Sequence, residues 1–288
     1  MGDEMISKRR SMAFAVPIVS AFVLVLAGGI FLKPGGGDAA LADPARARAQ
    51  NTGRAPDAGF VTDFRKGLDR NLHYRADYVM YAEWLQTGYK PGNIRFDASG
   101  MTLNLEKKRI GRHRYTGAEF QQKGFFGYGR YEVVMRAPRE SGVIASFFTH
   151  TGPGFGDPHH EIDFEFLGRN PRQVHVNYFS GDPVGSLPID LGFDASAADH
   201  LYAFEWSPGS IRWFVDGRLV HTAVSEGARI PVPTASSRVI ANIWAPAGSA
   251  LQWAGVPRFR KASAAYRCMS HVPLGQAGSQ CSDIFPVR

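Results

Sequence analysis

In residues 160–168, His-Glu-Ile-Asp-Phe-Glu-Phe-Leu-Gly, acidic and apolar side chains alternate without a break: Glu161, Asp163 and Glu165 against Ile162, Phe164 and Phe166. Period two is the strand period, so three carboxyl groups line one face and three large apolar groups line the other. The apolar face requires a core on that side of the strand. The acidic face is unusual, because an ordinary half-buried strand mixes Thr, Lys or Ser there instead of stacking like charges. Neighbouring negative charges disfavour ionisation and raise carboxyl pKa values. Chemistry that needs one protonated and one ionised carboxyl uses that shift. A solvated acidic strand is the plainer alternative.

The rest of the chain extends the same pattern. From about Gly59 to Tyr266, strand-like segments follow one another at short intervals, with no helical periodicity between them. Met101 to Glu106 alternates, as does Gly129 to Arg136, with Tyr131, Val133 and Met135 on one face. Gln173 to Phe179 puts His175 and Asn177 on one side and Val174, Val176 and Tyr178 on the other. Asp216-Gly217, inside Ile211 to His221, fits a two-residue hairpin turn. With 32 Gly, 18 Pro and 20 Phe in 288 residues, the composition favours β structure, and the chain is long enough for one sizeable core. The expected fold is all-β: a sandwich or jelly roll of two antiparallel sheets.

Lys8, Arg9 and Arg10 precede an uncharged run from Ala13 to Leu32, the pattern of an export signal or a membrane anchor. The run is close to the roughly 20 residues that span a bilayer, and an Ala-x-Ala site follows at Ala40-Leu41-Ala42. Residues 1–32 therefore read as signal or anchor and 33–57 as a Gly/Pro/Ala-rich linker. The catalytic part is expected in the periplasm or outside the cell, touching membrane only through residues 13–32 if these are retained. There Cys268 and Cys281 could pair. The formal charge of +7 is modest for this length and no nucleic-acid motif accompanies it, so no nucleic-acid partner is expected. The basic stretch Lys107 to Arg114 is a solvated loop or a contact for an anionic substrate. Neither Cys-x-x-Cys nor His-Glu-x-x-His is present, and His159 and His160, as neighbours on a strand, would face opposite ways, so no metal site is expected.

Glu-x-Asp-x-Glu on a strand suits retaining glycoside hydrolysis, in which one carboxylate attacks the anomeric carbon and a second carboxylic acid protonates the leaving oxygen. The carboxyl groups must then lie about 5–5.5 Å apart, although four residues of strand separate their Cα atoms by roughly 13 Å. The two Glu side chains must lean together over a short Asp. Glu161 is assigned as nucleophile, Asp163 as its positioning and pKa-tuning partner, and Glu165 as acid/base.

At this point the residues resemble a known family. Glu161-Ile-Asp-Phe-Glu-Phe-Leu-Gly is similar to the signature of glycoside hydrolase family 16. Tyr128-Gly-Arg-Tyr-Glu-Val, Ser146-Phe-Phe-Thr-His-Thr-Gly-Pro, Leu191-Gly-Phe-Asp-Ala-Ser, Tyr202-Ala-Phe-Glu-Trp and Trp213-Phe-Val-Asp-Gly resemble bacterial lichenases in the same order. The resemblance covers roughly 58–266, leaving 267–288 as a C-terminal tail. In that tail the Cys268…Cys281 pair looks more like endo-glycanases that trim secreted exopolysaccharide. It implies a jelly roll with a concave cleft, retention of configuration and endo-attack on β-glucan-like chains. By the same resemblance Glu119, Asn177, Asn242, Trp244 and Trp253 fall on cleft positions. Phe148 and His175 are added as further sugar contacts. For the aromatic residues the competing role is core packing. Two departures bear on specificity: Gln121 stands where lichenases carry Arg, and the lichenase N-terminal cysteine pair is absent; His160, where an acidic residue is common, points to the opposite face and bears on the pH profile. The resemblance implies no required cofactor and allows a structural calcium ion on the convex side. The expected enzyme is a monomer acting on polysaccharide. A transglycosylase using the same residues, or a carbohydrate-binding module without turnover, are the alternatives.

Overall fold

The structure is a computed structural model that describes residues 58–286. The signal or anchor expected over 13–32 and the linker over 33–57 lie outside the described residues. Within them the chain builds two sheets. One runs β4 (Ile94–Asp97), β5 (Gly100–Glu106), β17 (Lys261–Pro273), β7 (Gly129–Arg136), β13 (His200–Ser207), β14 (Ser210–Val215), β15 (Arg218–Val224), with β1 (Phe60–Asp63) on the far half of β17. The other runs β2 (His73–Arg75), β6 (Tyr115–Phe126), β16 (Ser237–Trp244), β8 (Ile144–Thr151), β9 (His160–Leu167), β10 (Gln173–Ser180), β12 (Leu187–Asp190), with the short β11 (Asp182–Pro183) also paired to β10. The twelve-residue β6 reaches both sheets, pairing with β5 at one end. Pairing is antiparallel except where β3 (Thr87–Tyr89) joins β6 in parallel.

The inner faces form one core. Ile162, Phe164 and Phe166 from β9 are at most 1% exposed, and Tyr131, Val133 and Met135 from β7 are fully buried. Phe164 and Phe166 meet Tyr202 of the opposite sheet edge-on at 5.7 and 4.6 Å, and Trp213 Nε1–H donates to the Asp163 carbonyl at 3.2 Å. The apolar half of the 161–166 alternation is therefore what glues the layers together. The acidic half must then face outward. The β14–β15 turn has φ of 48° at Asp216 and 77° at Gly217, the left-handed pair that a type I′ hairpin requires.

The tail expected from residue 267 is corrected by the structure. β17 continues to Pro273, pairing with β7 from Ala265 onward. Both faces of that half are buried, so it lacks the alternation by which a strand is read from sequence. Cys281 opens α2 (Cys281–Ile284) and is joined by a disulfide to Cys268 on β17, 13 residues away. Val134 and Leu201 cover the bridge. Replacing both cysteines by Ala is expected to lower unfolding free energy by about 3 kcal/mol, the loop-closure value for a ring of this size. Urea unfolding of the double variant checks it; no change in midpoint would mean that packing alone holds α2.

Candidate active site

β9 lies between β8 and β10, and its register places each carboxyl group in a cross-strand row on the outward face. Glu161 sits opposite His150 and Phe179, Asp163 opposite Phe148 and Asn177, and Glu165 opposite Ser146 and His175. The Glu165 row continues through Asn242 on β16 to Glu119 on β6. Directly opposed side chains in an antiparallel pair are nearest neighbours. One sheet face thus gathers Glu161, Asp163, Glu165, Asn177, His175, Phe148, Asn242 and Glu119.

The three carboxyl groups differ sharply in environment. Glu161 Oε2 accepts hydrogen bonds from His150 Nδ1–H and His159 Nε2–H, both 2.8 Å. An ionised carboxylate has no proton to give, so both ring nitrogens carry theirs. Burial alone would push the Glu161 carboxyl up, but the two imidazole hydrogen bonds and the charge behind them hold it below the usual carboxylate range. Asp163, 3% exposed, is pushed well up, by burial first, then by the charges of Glu161 and Glu165, and last by a hydrogen bond to Glu161. Its Oδ2 has no hydrogen-bond partner among the described residues. Glu165 is pushed up to about 8, by burial first and then by the charge of Glu161. At neutral pH the face carries an ionised Glu161 and a protonated Glu165, with Asp163 between them pushed toward its neutral form. That is the division of labour expected when environments drive neighbouring carboxyl groups apart.

The other residues singled out from sequence fall into two groups. Trp253 stands on α1 (Ala250–Ala254), half-buried, with its Nε1–H directed at His175 Nδ1 at 3.4 Å. The same nitrogen accepts from Ser186 Oγ at 2.8 Å, in keeping with a neutral ring pushed down to about 4 by burial and then by Arg169. Phe148 is half-buried on the same face. Asn177 Oδ1 accepts from the Gly185 N–H at 3.2 Å, and Asn242 Oδ1 is buried without a partner among the described residues. Trp244 and Glu119 are instead built into the wall. Trp244 is 6% exposed, against Trp84 at 5.4 Å and Trp253 at 6.5 Å. Glu119 is 5% exposed, and Tyr78 OH and Gln121 Nε2 already donate to its oxygens. Arg238 Nη1 in turn donates to Gln121 Oε1 at 2.8 Å, so an arginine reaches this row from β16 through Gln121.

His150 and His159 were not foreseen. His150 lies on another strand, eleven residues from Glu161, and only the β8–β9 register brings it over. His159 precedes the first residue of β9, so strand alternation does not bind its direction. His160 does face away. Its Nδ1 accepts the Thr234 and Ala235 N–H groups at 3.0 and 2.9 Å, pinning the approach to β16. The basic stretch forms the β5–β6 connection, where Arg112 lies over the Tyr81 ring.

Comparisons with known proteins agree with this geometry. Residues 82–261 match the model of glycosyl hydrolases family 16. A beta-glucanase of Bacillus subtilis is 33% identical over 231 residues, covering 80% of this chain and 88% of that protein. The structure of a Bacillus licheniformis beta-glucanase superposes with a TM-score of 0.69 at 31% identity, covering 76% of this chain and 99% of that one. A prokaryotic beta-1,3-1,4-glucanase (lichenase) from a mouse hindgut metagenome gives 0.70 at 32%, covering 75% and 99%. The match takes in β9 with its three carboxyl groups and both strands that flank it. By sequence and by fold, the chain belongs to glycosyl hydrolases family 16.

Proposed function

We propose that the chain is a retaining endo-β-glycanase acting on a β-1,3/1,4-type glucan or a secreted exopolysaccharide. The observation that carries this is the opposite proton state of Glu161 and Glu165 on one strand face. In the first step Glu161 attacks the anomeric carbon while the glycosidic bond breaks and the Glu165 proton passes to the leaving oxygen. The resulting ester removes the negative charge that helped keep Glu165 protonated, so its pKa drops and it becomes a base. It then takes a proton from water, whose oxygen displaces Glu161. Asp163, pushed toward its neutral form and hydrogen-bonded to Glu161, holds the nucleophile in place. The β-glucanase names of the relatives support the glucan reading.

Reducing-sugar release from linkage-defined β-glucans and a native exopolysaccharide tests the activity, and proton NMR of the first-formed anomer tests the stereochemistry. A β product supports retention; an α product, or no release from any substrate, overturns the reading. Within the cleft wall, Trp253→Ala is expected to raise KM about tenfold with kcat little changed, the loss of one stacking contact worth about 1.4 kcal/mol. Trp244→Ala should act through stability, costing about 3–5 kcal/mol for a large buried ring. Steady-state kinetics beside melting curves separate the two; equal KM effects with intact stability would contradict the distinction.

We also infer that the enzyme works in the periplasm or outside the cell. The basic residues before the apolar run at 13–32 and the Cys268–Cys281 bridge support this, since disulfides persist mainly in oxidising compartments. Mass spectrometry of the mature N-terminus tests whether that run is removed.

A further inference from the structure

Among the described residues, His150, His159 and Glu161 are brought together with their ligand-capable atoms all within 4.8 Å of one another. His150 Nδ1 and His159 Nε2 each lie 2.8 Å from the same oxygen of Glu161. Two imidazoles, one on β8 and one in the loop just before β9, aim at one carboxylate oxygen and form a three-armed cluster with it. Its arms are held from behind: the His159 ring stacks on Phe179 at 4.6 Å, and His150 packs edge-on against Phe155 at 6.2 Å. The three side chains retain 32%, 15% and 19% exposure, so a small solute reaches them from the open face.

We propose that His150, His159 and Glu161 bind a divalent ion of the zinc class, and that the ion withdraws the Glu161 carboxylate from catalysis. Two histidines and one glutamate, with a fourth position open to solvent, is a ligand set that zinc accepts in hydrolases. In a tetrahedral site with Zn–N and Zn–O bonds of about 2.0–2.1 Å the ligand atoms lie about 3.3–3.4 Å apart, so the ion enters by opening the 2.8 Å N···O contacts by about half an ångström while the two ring nitrogens, now within 4.8 Å, swing toward it. Imidazole ligands favour zinc, copper or cobalt over calcium and magnesium, which take oxygen cages. On coordination the ring nitrogen facing the ion gives up its proton, which passes to the ring's other nitrogen where that is free and to solvent where it is already protonated. No redox change is required. The carboxylate that would form the glycosyl ester then has its lone pair on the ion, and the ion's bulk stands where the anomeric carbon must approach. His160 takes no part, because its Nδ1 accepts the Thr234 and Ala235 N–H groups.

The inhibitory arm of this inference rests on the glycanase reading, while the binding arm does not. The test uses the full chain with zinc and cobalt as probes, read by titration calorimetry and by the visible spectrum of the cobalt form. Unaltered protein and Glu165→Gln, which leaves the cluster intact, are expected to bind one ion each. His150→Gln and His159→Gln keep an N–H donor for the carboxylate but lose the imidazole, and should bind at least about 100-fold more weakly, the upper end of what losing even an outer-shell partner costs. Zinc should suppress hydrolysis over the concentrations at which it binds, and a chelator should restore it. Hyperfine-shifted imidazole N–H signals of the cobalt form report two histidine ligands in the unaltered chain, whether or not a variant folds. No binding by the unaltered chain, unchanged affinity in both histidine variants, no such signals, or full hydrolysis at saturating zinc would each overturn the proposal. Absence of hydrolysis under any condition would sink the glycanase reading instead, and the binding measurements would still judge the site.

Discussion

Glu161→Ala is expected to lower kcat on a β-linked glucan by about four to six orders of magnitude, as removal of a nucleophile does elsewhere. The fold should survive, since the carboxylate lies on the outward face and the residues beneath it, Ile162 and Phe164, remain fully buried. What remains is informative. The His150 and His159 N–H groups that meet at Oε2 would then border a gap with two donors and no anion. Added azide or formate fits such a gap, because small anions are stabilised by convergent N–H groups. Azide bound there attacks the anomeric carbon from the side Glu161 would have used, while Glu165 still supplies the proton to the leaving oxygen. The product should be the α-glycosyl azide, formed at a rate well above the variant's own hydrolysis. The same experiment on Glu165→Ala should give the β-glycosyl azide, because azide there intercepts an ester already formed on Glu161. NMR of the two azides decides the roles. Interchanged anomers would exchange the assignments, and hydrolysis by Glu161→Ala at the parental rate would remove Glu161 from the reaction.

The fold was legible because its core writes itself into period two. Ile162, Phe164 and Phe166, and likewise Tyr131, Val133 and Met135, are both the alternating set in sequence and the buried set in the structure. Asp216-Gly217 announced its turn through the one dihedral pattern that favours such residues. The site was legible only as far as it lies along one strand. Glu161, Asp163 and Glu165 are self-announcing; Asn177 and His175 share the next strand's face and follow from its alternation. What could not be read is what the register of separate strands decides. His150 reaches Glu161 because β8 pairs with β9 at that offset, and nothing local in Phe148-Thr-His-Thr signals it. His159 escaped for the opposite reason: the strand rule was applied one residue beyond the strand. Glu119 and Trp244 were placed on the right face, but burial is a property of the third dimension, and the packing of Tyr78, Gln121 and Trp84 around them is not written in spacing.

Glu165→Gln should remove the basic limb of the pH profile and stabilise the protein in the same stroke. In the parent, kcat/KM is expected to fall tenfold per pH unit above about 8, where the Glu165 carboxyl loses the proton it must donate. The variant has nothing there to titrate. Its residual rate should be about 10²–10⁴-fold lower, the usual worth of a general acid, with no decline across that pH. Stability follows from the same number. An unfolded glutamate ionises near 4.5, whereas burial and the Glu161 charge keep this one protonated to about 8. Between those values the unfolded chain gives up a proton that the native state retains, so stability falls as pH rises through the window. Gln carries no such penalty. The melting temperature of the variant should match the parent near pH 4 and exceed it by a margin that widens up to about pH 8, since each unit of the gap carries about 1.4 kcal/mol. The gap opens only because the carboxyl is held in its neutral form for catalysis, so the enzyme gives up stability for a working acid. A difference that stays constant from pH 4 to 8, or a basic limb that persists in the variant, would show that some other group sets both curves.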